Sequence, residues 1–131
     1  MSKLLARAKV KYRNALNDYY QFSVDDAYID DCCYNLQQSI EYCLKYIVEL
    51  NGSNYVENHD IRAQLNKLKE LKAKFPFEEA IRKNASIINS WETESRYNND
   101  FTALIEDIDE IMSLTKDIID YSDSLVEVKK C

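Results

Sequence analysis

The chain has 131 residues, 46% of them apolar, enough for one domain with a real core and too few for two comfortable ones. A single glycine and a single proline leave almost nothing for β-turns or phosphate-cradling loops, so the expectation is an all-α protein with one domain over residues 1–131. A net charge of −6 argues against a surface wholly devoted to gripping phosphates.

Helical periodicity accounts for most of the sequence. Leu4, Leu5, Ala8, Tyr12, Ala15, Leu16 and Tyr19 recur at three and four and predict a first helix ending near Tyr20. Ser23 or Asp25 is expected to cap a second helix that stops at Asn51-Gly52. That helix would span about 26 residues, or roughly 39 Å. On it Ile29, Cys33, Leu36, Ile40, Cys43, Leu44 and Ile47 form one apolar stripe. Gln38, Glu41 and Lys45 fall within an arc of about 60° on the opposite side, flanked by Tyr34 and Tyr42, and predict a second face built to meet something.

Asn58 to Asp60 offer caps for a third helix carrying Ile61, Leu65, Leu68 and Leu71. Pro76 ends it or opens the next, in which Phe77, Ile81, Ala85, Ile88 and Trp91 share a face. The turn-forming run Thr93 to Asp100 is expected to interrupt the pattern, leaving Arg96 and Tyr97 in a loop. Phe101, Leu104, Ile105, Ile108, Met112, Ile119 and Val126 then predict a last amphipathic helix of about seven turns. Short connections make an up-and-down antiparallel bundle of four to five helices the expected packing.

Charge is unevenly spread. Residues 1–13 carry Lys3, Arg7, Lys9, Lys11 and Arg13 with no acid, whereas residues 101–127 carry eight acids against the single base Lys116. The two ends are expected to attract each other within the bundle. An anion-binding surface, if present, belongs on the first helix or on the middle stretch from Arg62 to Lys83. Cys32, Cys33, Cys43 and Cys131 lack the spacing of a zinc site, and one histidine is too few for a di-iron bundle, so no metal or cofactor is expected. No apolar run approaches the roughly 20 residues of a membrane span and no signal-peptide centre is visible, so the expected location is the cytoplasm, away from membrane.

The local chemistry is open to two readings at each point. Glu41 and Lys45 stand in the favourable i,i+4 orientation of a surface ion pair, worth a few tenths of a kcal/mol. His59-Asp60 suits a helix N-terminus, and equally a general base or an anion donor. Arg96 either pairs with neighbouring acids or presents itself to a phosphate. No glycine-rich loop or nucleophile triad accompanies them.

Taken in order, these elements resemble those of HEPN domains. Gln38-Ser39-Ile40-Glu41-Tyr42-Cys43-Leu44-Lys45 is similar to the family's Gln-Ala-Ala-Glu-Lys-Ala-Leu-Lys, His59-Asp60-Ile61 to its His-Asp-Leu, and Arg96-Tyr97 to the Arg-Tyr before its last helix. The resemblance implies a bundle that commonly forms a homodimer, found in toxin-antitoxin and defence systems, often beside a nucleotidyltransferase. Many members are ribonucleases bearing Arg-x4-6-His. Here the three permitted positions after Arg96 are Phe101, Thr102 and Ala103, and those before His59 are Gly52, Ser53 and Asn54. Catalysis is therefore not carried over, and no catalytic residue is assigned. Gln38, Glu41, Lys45, His59, Asp60, Arg96 and Tyr97 are expected to hold a nucleotide, an RNA or a partner nucleotidyltransferase. The alternatives are an enzyme using His59 with Arg96 across the fold, and a structural oligomerisation protein.

Overall fold

A computed structural model describes residues 2–130, with side chains described up to Leu125. Five helices and no strand form among these residues: α1 Leu4–Gln21, α2 Ala27–Leu50, α3 Ile61–Glu70, α4 Glu78–Tyr97 and α5 Ile105–Lys130. The all-α bundle expected from the periodicity is the fold observed. Val126, expected on the last apolar face, and Cys131 have side chains outside the described residues.

α2 is the central column, packing against each of the other four helices. Leu36, Ile40, Leu44 and Ile47 are fully buried at spacings of four, four and three, and belong to one core with Ile81, Ile88 and Trp91 of α4 and Ile108, Ile111 and Ile118 of α5. Ala8 and Ala15, one heptad apart and fully buried, let α1 approach α2 closely. The approach is close enough for the Ser39 hydroxyl to donate to the Ala8 carbonyl at 2.8 Å. Opposite charge joins the two ends of the chain, as Lys9 on α1 meets Asp123 on α5 at 2.8 Å.

Boundaries differ from expectation at several ends: Leu71 caps α3 and Phe77 caps α4, each one residue outside its helix, and α2, α4 and α5 differ further. α2 has 24 residues with Asp26 at its N-cap position, and of the two expected caps it is Asp25, one residue earlier, whose side chain accepts from the Ala27 N–H at 2.9 Å. α4 continues through Thr93 to Tyr97, so Arg96 and Tyr97 occupy its last turn and not a loop. The Glu92–Arg96 ion pair and the Asn98 to Glu94 side-chain bond support this turn at i,i+4 spacing, which outweighs the turn preference of Ser95 and Asn98. Phe101 and Leu104 precede α5 and are not part of it. No helix among the described residues is long and apolar enough to cross a membrane.

Candidate functional site

The polar arc of α2 is not the outward face its composition predicts. Gln38, Glu41 and Lys45 are 6%, 2% and 9% exposed, because a helix touching all four others has little circumference left for solvent. Burying polar groups requires partners, and these are in place. The Glu41 carboxylate accepts from Gln37 Nε2 at 2.9 Å and from Lys45 Nζ at 3.0 Å. Gln38 Nε2 donates in turn to Gln37 Oε1 at 2.8 Å. Lys45 Nζ also lies 4.9 Å from the centroid of the Tyr55 ring, a cation–π contact that covers the ammonium from the loop after α2.

His59 closes this network from outside. Its Nδ1 stands 3.1 and 3.3 Å from the two Glu41 oxygens, while its side chain is 62% exposed. An ionised carboxylate only accepts, so the contact assigns a proton to Nδ1 and orients the ring. The loop carrying His59 is pinned by the fully buried Gln64, which donates to the Val56 carbonyl at 2.6 Å and accepts from the Val56 N–H at 3.2 Å.

Asp60 is the N-cap of α3, accepting from the Arg62 N–H at 2.9 Å. The same oxygen accepts from Asn89 Nδ2 of α4 at 2.9 Å, and Asn89 Oδ1 accepts from the Ile61 N–H at 3.1 Å. This exchange ties the start of α3 to α4 and sets the position of His59 one residue before.

Arg96 reaches the same side of α2 at a different level. Its guanidinium lies 4.8 Å from the Tyr34 ring centroid and 4.9 Å from that of Tyr97. Tyr34, Gln38, Glu41 and Lys45 share one helical face, and Tyr34 precedes Glu41 by seven residues, about 10 Å of helix rise. The structure thus joins Gln38, Glu41, Lys45 and His59 in one network with Asp60 beside it. Arg96 and Tyr97 form a second cluster along the same face. Gln37, Tyr55 and Asn89 belong to the site and escape the sequence reading. Gln37 was legible as an i,i+4 partner of Glu41, whereas Tyr55 and Asn89 come from segments with no local tie to α2.

Surface clefts lie nearby but are lined by other residues. One of about 340 Å³ runs between α1 and α2, with Lys3, Arg7 and Lys11 around Ala6, Val10 and Tyr42. Another, lined by Lys11, Asn14, Asn17, Asp31 and Tyr34 among others, shares Lys11 with it. Within the second, Asn35 Nδ2 donates to Asp18 at 3.0 Å and to Asp31 at 3.1 Å. Burial, and then the hydrogen bond and charge of Asp31, push the Asp18 carboxyl up to about 7. Burial likewise pushes the Cys32 and Cys43 thiols up to about 12 and Cys33 further, which makes poor nucleophiles of all three. Among the described residues no group of three His, Cys, Asp or Glu side chains is arranged to hold a metal ion.

A family model described as the HEPN domain matches residues 1–125. The chain belongs to the HEPN domain family. No curated protein and no solved structure matches it.

Proposed function

We propose that this protein is a non-catalytic HEPN binding module of a toxin-antitoxin or defence-type system, working as a homodimer in the cytoplasm. Its ligand is a nucleotide, taken up free or in the hands of a partner nucleotidyltransferase. The supporting observation is the state of Glu41, buried and already shared by Gln37, Lys45 and His59. A carboxylate so engaged is a strut that aims the exposed His59 ring outward, where its far nitrogen, when it too carries a proton, donates to a phosphate oxygen. Asp60 and Arg62 frame that corner, and Arg96 with Tyr97 extend the contact along the same side.

Titration of a fluorescent nucleoside triphosphate into wild type and His59→Ala is the test. Binding that weakens tenfold or more in the variant, at unchanged thermal stability, is the expected outcome; equal affinity removes His59 from the site.

One observation favours a second reading. A carboxylate holding imidazole Nδ1 is also how hydrolases orient a general base, and Glu41 with His59 has that geometry. Cleavage of a single-stranded RNA by wild type but not by His59→Ala would establish it. Indistinguishable background rates would leave the binding module.

A further inference from the structure

Three clefts follow one another along α1 and the turn into α2, each sharing a residue with the next, with opposite charge at the two ends. At the start of α1, Lys3, Arg7 and Lys11 surround an apolar floor of Ala6, Val10 and Tyr42. Lys11 is shared with the middle cleft, and Asp31 is shared between that cleft and a third, which is lined by Asp25, Ala27, Tyr28 and Asp31 at the turn into α2. The far end is therefore acidic, with Asp25, Asp26 and Asp31 all exposed, and it carries apolar surface too, with Val24 75% and Tyr28 38% exposed. Between the ends, Val10 at 48% exposure, Asn14 and Asn17 make an uncharged line along α1, flanked by Lys11 and the exposed Arg13.

We propose that this face docks a second copy of the same chain, the two α1 helices running antiparallel about a two-fold axis near Asn14. The inference rests on the dimer in the proposed function and names its face. Asn14 stands midway in sequence between Lys3 and Asp25, so the axis sets the Lys3 end of each copy against the acidic turn of the other. A closed contact satisfies both ends at once. The Ala6 end of the apolar floor receives the Val24 side of the opposing turn, and the short asparagines at the centre allow the helices to approach.

Nucleic acid fits this line of clefts less well. Half of it is acidic, and the Tyr34 ring in its middle already carries Lys11 at 5.5 Å and Arg96 at 4.8 Å, which leaves little open ring for a base. Among the described residues the exposed face of α5 offers acids without an exposed apolar side chain to fill the floor, so the α1–α2 turn is the better complement.

Sedimentation velocity on the full chain tests the proposal. Wild type is expected to be a dimer that weakens as salt is raised. Lys3→Glu/Arg7→Glu and Asp25→Lys/Asp31→Lys should each be monomeric, yet dimerise when mixed in equal amounts, since both contacts of the mixed pair are again opposite in charge. Helical circular dichroism confirms that each variant is folded. Asn14→Arg, an exposed substitution that sets two cations at the axis, should abolish the dimer without altering the fold. A dimer indifferent to Asn14→Arg and to the charge reversals would overturn this face while leaving the dimer intact. A wild type monomeric at every concentration would overturn both. So would a monomer whose Lys3→Glu/Arg7→Glu variant loses single-stranded RNA, which would give the basic end to nucleic acid.

Discussion

Glu41 is the residue on which the centre of the molecule turns. Three donors converge on one carboxylate that is 2% exposed, and two of them, Gln37 and Lys45, are themselves buried. Glu41→Ala leaves an ammonium and an amide without an acceptor, the situation in which breaking a buried pair costs about 3–5 kcal/mol. His59→Ala removes only the exposed member, and its cost should stay below about 1 kcal/mol. Urea unfolding of the two variants checks the contrast; similar midpoints would mean that water reaches the network and replaces the carboxylate. The spacing of Gln38, Glu41 and Lys45 was readable in the sequence, since helix periodicity alone puts them on one face. Their burial was not, because nothing within α2 announces how many helices surround it. Arg96 was misplaced for a local reason: serine and asparagine favour turns, but their i,i+4 partners were Trp91 and Glu94 of the same helix.

At the scale of the element, two helices end in the same way with different residues. After α2, Gly52 takes φ +79°, its N–H bonds the Glu49 carbonyl at 3.0 Å, and the Ser53 N–H reaches the Val48 carbonyl at 3.4 Å. This closes the helix with a left-handed residue that glycine adopts freely. After α3, Lys72 takes φ 54°, its N–H bonds the Lys69 carbonyl at 3.0 Å, and the Ala73 N–H bonds the Leu68 carbonyl at 3.0 Å. The bonding is equivalent, but here a side chain crowds the following carbonyl, which costs about 1–2 kcal/mol. Lys72→Gly should therefore raise stability by about 0.5–1 kcal/mol, after the entropy that glycine adds to the unfolded chain. A shift of the urea midpoint to lower concentration would show that the lysine stem contributes more than its backbone strain removes. The difference also explains the reading of the two ends: Asn51-Gly52 marks a stop in the sequence, whereas Lys72 marks nothing.

The whole molecule is a column, α2, with four helices around it, and the α1–α2 seam holds the group that ties its stability to pH. Asp18 is 7% exposed and shares Asn35 with Asp31, and burial with that second carboxylate raises its pKa from the usual 3.8 to about 7. Folding therefore binds a proton that the unfolded chain releases between about pH 4 and 7. The stabilisation linked to Asp18 is complete below the unfolded value and is lost as pH rises through the folded one, the reverse of an ion-paired aspartate. Other carboxylates add their own slopes, so the informative quantity is the difference from Asp18→Asn, which keeps the shape, still accepts from Asn35 and donates to Asp31. Trp91, the single tryptophan, is 2% exposed on α4 within the shared core, and its fluorescence reports loss of the bundle. From about pH 4 to pH 7 the asparagine variant should gain stability steadily relative to wild type and level off above about pH 7, with the same midpoint by Trp91 fluorescence and circular dichroism. Parallel pH profiles for the two proteins would show that Asp18 titrates in the folded bundle as it does in the open chain.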